Sequence, residues 1–455
     1  MNKNLFYFVI ITSFLTIISF ISCTNFSLLK RLSKPDIVLI NLGDSLTNGT
    51  QSGLQNVCEQ TQKNGFADVL ADKLSQVTNL TWSNPYLIKK NNNKFRKNLK
   101  QIPYNLGVDK MTINELINQK TNKDNKLLTE LLKPLPDLAE KDLSQLDAAL
   151  YLAKKNSYQQ IIFTLWIGCN DVIWAVIDEY GTKITKKNII KYLENKIAQH
   201  DIISIEKNLN YILEKLRNIP NSHIFLGTIP YMSRMSFFFY KEDIERLAQF
   251  PNVKIDSLPI DESIGFGPFL NICSKGILNK KSSNQILNKV LSQIVKADVF
   301  TMSADERKLI DDRVDQINNI INKMSKYKNV TVIDLNKLFE QGFDGKINVS
   351  GHNLLKTFGG GLFSLDAFHP SNTFHAIIAN EFIKAFNKTL NLSISLVNIE
   401  EIWKKDPYQD RDGDGFVPGP GDDIIGLDAL KAGLIDCNDS DSSIIAPFIS
   451  GNLCK

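Results

Sequence analysis

This chain lacks a strong excess of either charge sign. Lys and Arg number 53 against 49 Asp and Glu, a formal net charge of +4 over 455 residues. So small an imbalance makes no case for a nucleic-acid partner, which wants wide basic coverage and aromatic platforms. The basic residues concentrate at 89–100, an Asn/Lys run that reads as an exposed loop insertion. Long apolar runs are also lacking, with one exception at residues 5–21. That run is shorter than the ~20 residues a spanning helix needs, and no other segment is apolar enough to cross a membrane. Internal repeats are not evident. Histidine is confined to His200, His223, His352, His369 and His375. Composition is otherwise globular, 43% hydrophobic and 22% charged, ample for a large core.

Strand-like and helical runs alternate. Residues 36–42, 161–167, 223–229 and 330–335 read as strands, and 66–74, 111–118, 143–156, 204–217 and 303–327 as helices. The last opens on Ser303 and Glu306, a capping-box spacing. Its apolar residues Ile310, Val314, Ile317, Ile321 and Met324 recur at helical spacing. This alternation predicts a parallel sheet with helices on both faces. Sites on such sheets gather at the carboxyl edge of the strands.

The strand at 36–42 breaks at Gly43 and runs on as Asp44-Ser45-Leu46-Thr47-Asn48-Gly49. A serine presented just after a strand, on a turn that glycine allows, suits a nucleophile. It also suits a helix N-cap. Three further stretches follow in order. They are Tyr104-Asn105-Leu106-Gly107-Val108, Trp166-Ile167-Gly168-Cys169-Asn170-Asp171 and Ser364-Leu365-Asp366-Ala367-Phe368-His369-Pro370. Together the four resemble the signature blocks of the SGNH, or GDSL-type, esterase and lipase family, from about residue 36 to about 390. The resemblance implies a three-layer α/β/α, flavodoxin-like fold with a central parallel sheet.

Ester hydrolysis through an acyl-enzyme needs an activated hydroxyl, a base near neutral pKa and donors for an oxyanion. Ser45 supplies the hydroxyl and His369 the base. Asp366, three residues earlier, can orient the imidazole. The Ser45 amide, the Gly107 amide and the Asn170 side chain are the expected oxyanion donors. The resemblance implies the same assignments, with no cofactor for catalysis. Two positions depart from the family pattern: Ala367 stands where Gly is usual, and Cys169 where Asn or Gly is usual. Asp171 reads as a cap for a helix at 172–179, and Asp44 as a local brace of the serine loop. The remaining histidines read as surface or packing residues.

The N-terminus carries Lys3, then the apolar run, then Phe20-Ile21-Ser22-Cys23. The run suits a signal h-region. The small residue before Cys23 resembles a bacterial lipoprotein cleavage box, with Phe20 departing from the usual Leu. Residues 1–22 are then a signal peptide and 23–35 a tether. Lipidation at Cys23 would anchor an exported chain to a bacterial membrane. The hydrolase domain is expected at 36–398. Within it, 230–297 is long for a connection and rich in Met and Phe. It reads either as a lid or wall for an acyl chain or as a subdomain with its own small core.

After residue 398 the composition changes to an Asp-rich segment, 399–455. Asp410, Asp412 and Asp414 alternate, with Phe416 following Gly415. Carboxylates in this pattern surround a hard cation. The run resembles the first half of an EF-hand calcium loop, but Gly421 stands where the bidentate Glu belongs. Asp436, Asp439 and Asp441 supply a second acidic turn, similar to Asp-rich calcium modules of extracellular bacterial proteins. Structural Ca2+ is the expectation. Cys437 and Cys454 bracket the end of the tail and are the best disulfide pair, in an exported chain that permits one.

The sequence therefore predicts a lipid-anchored, monomeric serine hydrolase of carboxylic esters, with lipid or phospholipid acyl esters favoured. One rival is a carbohydrate acetylesterase. Another is a calcium-stabilised surface binding lipoprotein with a vestigial site.

Overall fold

The computed structural model describes residues 34–51, 58–90, 93–121, 126–132, 142–177, 191, 194–195, 201–235, 238–247, 254–259, 262–265, 284–297, 301–357, 359–412, 417–418 and 440. Five strands form the central sheet: β1 (Asp36–Gly43), β2 (Asn79–Thr81), β3 (Gln160–Trp166), β4 (Ser222–Gly227) and β5 (Val330–Ile333). They lie in the order β5-β4-β3-β1-β2, and every pairing is parallel. Strands β1 and β3 are buried over nearly their whole length. Near-continuous apolar strands belong to a sheet covered on both faces. Helices Phe66–Ser75 and Asn372–Leu390 pack together in one layer. Helices Ile113–Asn118, Gln145–Lys155, Ile202–Arg217 and Ala304–Lys323 form the other. This is the expected three-layer α/β/α arrangement.

Caps explain where the observed elements depart from the predicted bounds. The helix expected from residue 111 starts at Ile113, because Thr112 and Glu115 form a capping box. Strand β5 stops at Ile333, because Asp334 accepts the Lys337 N–H and starts helix Leu335–Phe343. Ser303 and Glu306 form the capping box read from the sequence. Strand β2 was not anticipated. Its three residues are too short to show a period.

Two insertions also differ from expectation. The basic run at 89–100 is not simply a loop, since Leu87–Lys90 pairs with Asn93–Arg96 as an antiparallel hairpin. After β4, strands Phe238–Phe239, Ser263–Gly265 and Thr301–Met302 make a small antiparallel sheet. Met232, Met235, Phe238 and Phe239 are buried there. Phe239, Ile244, Ile264, Leu287 and Leu291 are buried outside the main core. These described residues form a small packed cluster of their own.

The strand order positions the site. From β1 the chain adds β2 on one side, then crosses to place β3, β4 and β5 on the other. The order reverses at β1, and the crevice outside the strand ends at such a point is where ligands bind in open α/β sheets. Gly43 at the end of β1 pairs with Trp166 at the end of β3. The segments leaving these two strands therefore start side by side.

Candidate active site

Ser45 opens a one-turn helix, α1 (Ser45–Asn48), immediately after β1. Asp44 caps it by accepting the Leu46 N–H at 3.0 Å. Gly49 ends it in the left-handed conformation, φ 79°. Ser45 is thus both a nucleophile candidate and the first helical residue, while the cap is its neighbour. Its N–H, at the first position of a helix, has no intrahelical acceptor. Gln145 clamps the preceding turn. Its side-chain amide accepts from Gly43 N–H and donates to Gly43 O, each at 2.9 Å.

The loop from 364 to 370 brings the base. Asp366 gathers its own loop through one carboxylate oxygen, Oδ1. It accepts from Phe368 N–H at 3.0 Å, His369 N–H at 2.8 Å and the Ser364 hydroxyl at 3.1 Å. Its Oδ2 lies 2.6 Å from His369 Nδ1. His369 Nε2 lies 2.8 Å from Ser45 Oγ, across 324 residues of sequence. Ala367 turns this loop with φ 60°, which explains why glycine would suit the position.

Electrostatics follow from this geometry. Burial alone would lower the His369 pKa, but the Asp366 charge and hydrogen bond outweigh it and raise it above 6.5. Burial would raise Asp366, but His369 and the loop N–H groups hold it below the usual carboxylate range. Such a chain leaves the imidazole with Nδ1 protonated and Nε2 free to accept the Ser45 proton.

The donors converge on the same turn. Helix α2 (Ile113–Asn118) follows the Gly107 loop, and helix α3 (Asn170–Ile177) follows β3. The Asn170 amide donates to Asp44 Oδ2 at 3.3 Å and to Met111 O at 3.0 Å. The Gly107 N–H donates to Asn105 Oδ1 at 3.2 Å. Asp171 is not a cap for its own helix, which already begins at Asn170. Its carboxylate accepts the Ile113 N–H at 3.0 Å and so satisfies the start of α2 instead.

The model of one family, described as GDSL-like lipase/acylhydrolase, matches residues 39–382. The chain belongs to that family. The match includes Ser45, Gly107, Asn170, Asp366 and His369. Among solved structures, the chain is similar to an extracellular lipase from Streptomyces rimosus. Identity is 14%, with 78% of this chain and 98% of that one covered, at a TM-score of 0.34. It is also similar to a gut microbial diltiazem-metabolizing enzyme, at 12% identity and a TM-score of 0.30. That match covers 77% of this chain and 46% of the other, so this chain spans less than half of that neighbour. At such scores neither likeness carries weight on function. The comparison with curated proteins returns no match.

Several residues of this GDSL-type site left no trace in the sequence. Gln145 is one. Gln51 donates to Pro370 O at 3.1 Å and to Asn372 Oδ1 at 2.9 Å, tying the serine loop to the histidine loop. Asn105 donates to Thr47 O at 2.9 Å. Asp109 accepts from Asn48 and from Thr50. Only Asn105 lay inside a signature block, and no spacing rule marks such cross-loop contacts.

The other candidates fall into place or out of view. His375 is a packing residue: Nδ1 accepts the Phe66 N–H at 3.3 Å, and burial pushes its pKa down to about 3. His223 meets Thr331 at 2.8 Å, and His352 stacks on Trp403. Cys169 is a buried free thiol whose pKa burial pushes up, so it is no thiolate nucleophile. Cys58 is also free. Burial raises Asp44 to about 7 against the opposing Leu46 hydrogen bond, consistent with a brace rather than an ordinary exposed acid. Asp410 and Asp412 are described and half-buried. Asp414, Phe416, Asp436, Asp439 and Asp441 lie outside the described residues, as do Cys23, Cys437, Cys454 and His200.

Gly107 is needed for a reason beyond open access to substrate. A Cβ there would sit 2.6 Å from Asn48 N and 2.8 Å from the Thr47 carbonyl carbon. Both are backbone atoms of α1 and cannot step aside cheaply. We expect Gly107→Ala to destabilise the fold by ~1–3 kcal/mol, the range for overpacking a tight interior. A urea-unfolding midpoint equal to that of the wild type would refute this close contact.

Proposed function

We propose that the protein hydrolyses carboxylic esters through an acyl-enzyme on Ser45, with His369 as base and Asp366 as its orienter. One observation carries the reading: an unbroken hydrogen-bonded line from Asp366 Oδ2 through both His369 nitrogens to Ser45 Oγ, at 2.6 and 2.8 Å. In the first step His369 Nε2 takes the Ser45 proton as Oγ attacks the ester carbonyl. The imidazolium then protonates the departing alcohol. In the second step a water, deprotonated by the same Nε2, attacks the acyl-enzyme and releases the acid. The carbonyl oxygen that becomes negative needs donors. We assign the Ser45 N–H, the Gly107 N–H and the Asn170 amide to it. The last two now make bonds of 3.0–3.3 Å to protein acceptors, toward the long end of the normal range. A developing oxyanion is a stronger acceptor, because charge-assisted bonds are shorter and stronger.

Finer points of this reading rest on the sequence. Acyl esters of lipids, phospholipids included, are the favoured substrates because a Cys23 anchor would hold the enzyme at a membrane. The insertion after β4 no longer supports that preference, since its described aromatics are packed inside. A carbohydrate acetylesterase is the second reading, which an open polar cleft beside Ser45 would favour. Export, anchoring and a structural Ca2+ in the Asp-rich tail are further parts of the proposal. The tail lies far along the chain from Ser45, and the catalytic steps above use no metal.

Labelling of Ser45 by a fluorophosphonate, followed by a panel of esters of rising chain length, tests the core of this proposal. We expect Ser45→Ala to lower kcat by up to ~10⁶-fold and His369→Ala by a similar factor, because the two act as a unit. Asn170→Ala should cost roughly 10²–10³-fold, as loss of one oxyanion donor does. A folded Ser45→Ala protein that keeps its activity would remove Ser45 from the mechanism.

The pH dependence has a definite sign. His369 must be neutral to accept a proton, and its pKa is raised above 6.5. The ratio kcat/KM should therefore climb with pH and level off above an apparent pKa higher than 6.5. Asp366→Asn removes the main opponent of desolvation, so its acidic limb should move to lower pH while turnover falls. A limb that stays in place on this change would show that Asp366 does not set the base.

For the anchor, Cys23→Ser should abolish acylation and shift the protein out of the detergent phase. Unchanged partitioning would place the anchor elsewhere.

A further inference from the structure

The hairpin of Leu87–Lys90 and Asn93–Arg96 has no task in the chemistry above. Its stretch from 87 to 101 holds Lys89, Lys90, Lys94, Arg96, Lys97 and Lys100, and neither Asp nor Glu. Lys97 is paired with Glu59 at 2.7 Å and Arg96 is buried, so Lys89, Lys90, Lys94 and Lys100 carry the local excess. Its apolar residues divide. Leu87 is fully buried, whereas its neighbour Ile88 is 41% exposed and Ile88's cross-strand partner Phe95 is 42% exposed. Leu99, just beyond, is 54% exposed. A large aliphatic and an aromatic paired across a hairpin and left in water lose burial that a soluble protein has no reason to forgo. The register also sets Lys89 opposite Lys94. Like charges directly opposite destabilise a strand pair, and an anionic surface would relieve that repulsion.

The hairpin stands beside the site. The chain reaches it soon after β2 ends at Thr81, on the β2 side of β1. Gln62 joins the two: its Oε1 accepts the Leu87 N–H at 2.7 Å, and its Nε2 donates to Asn48 Oδ1 in α1 at 3.2 Å. Arg96 is turned inward, donating to Asn98 O at 3.1 Å and to Gln101 O, and so braces the base of the hairpin. The braced base holds the exposed pair in place, with Lys89, Lys90 and Lys94 farther along the two strands.

We propose that this hairpin docks the enzyme on an anionic lipid bilayer, with Ile88, Phe95 and Leu99 entering the interface and the lysines meeting acidic headgroups. Basic residues beside an exposed apolar pair are the combination that binds such surfaces. Docking there would bring the carboxyl edge, and Ser45 with it, toward the membrane. The inference rests on the ester-hydrolase reading only for this last purpose; the binding itself does not depend on it.

The test is co-sedimentation of the full chain with vesicles of phosphatidylcholine alone and of phosphatidylcholine with phosphatidylserine. We expect tighter binding to the anionic vesicles, weakening as salt rises. The triple change Lys89→Glu, Lys90→Glu and Lys94→Glu should reduce the anionic preference at least ~10-fold, since each basic residue near such a surface counts several-fold. It should leave binding to neutral vesicles, which the N-terminal segment supports, unchanged. Ile88→Ser with Phe95→Ser should weaken binding to both vesicle types without abolishing the preference. Circular dichroism and hydrolysis of a soluble short-chain ester should match the wild type in both variants. Equal binding to neutral and anionic vesicles by the wild type would overturn the proposal. So would a preference that survives charge reversal in a folded protein, or one that an RNA competitor removes while the RNA itself binds the hairpin. Loss of ester hydrolysis in every form, with vesicle binding intact, would instead overturn the catalytic reading and leave the docking surface standing.

Discussion

The turn between β1 and α1 leaves no room for a Cβ at Gly43 or at Gly107 beside it, and the rest of the site is arranged around that constraint. Gly43 ends the strand with its N–H and carbonyl both held by Gln145. Gly107 presses its Cα against the backbone of Thr47 and Asn48. Backbone against backbone gives the closest approach two segments can make. It places the Gly107 loop directly beside Ser45 and fixes the serine on a short helix that could not hold its shape in isolation. One turn of helix is marginal without tertiary support, and here the support comes from every side.

The second consequence concerns polar burial. Asp44, Asn105, Asn170, Asp171 and Asp366 are all buried or nearly so. Buried polar groups are tolerable only when they are paired. Asp44 and Asp366 each serve two roles in one geometry. Asp44 caps α1 and holds Asn170; Asp171 starts α2 from the neighbouring helix; Asp366 shapes its own loop and orients His369. A network of this kind positions side chains closely because a misplaced member would leave a partner unsatisfied. It also sets the ionisation that the proposed chemistry needs, an ionised Asp366 beside a basic imidazole.

Much of this was legible along the chain, and for a physical reason. The strands β1 and β3 are continuous apolar runs, so their ends are visible as a glycine followed by polar residues. Two of the signature blocks, those at Gly43 and Trp166, sit at such ends; the blocks around Gly107 and His369 lie on loops away from any strand end of the central sheet. The short edge strand β2 and the hairpin at 87–96 were not legible, and the substructure after β4 was legible only as one of two alternatives. Their segments are too brief or too irregular for a period. Gln145 and Gln51 were invisible for another reason. A glutamine that clamps a turn 102 or 319 residues away carries no local mark.

The sequence by itself determined the fold class, and it offered Ser45, Gly107, Asn170, Asp366 and His369 as the candidate set that the proposed function uses. Periodicity and capping are short-range properties, so a linear reading reaches them. Tertiary structure decided what those residues face. It set Asp171 against α2 rather than its own helix, turned the Asn170 amide toward Asp44 and Met111, packed Met232, Met235, Phe238 and Phe239 inward, and left Ile88 and Phe95 outside. Those outcomes depend on which surfaces meet across hundreds of residues, where burial and pairing of polar groups are settled only once all the layers are in place.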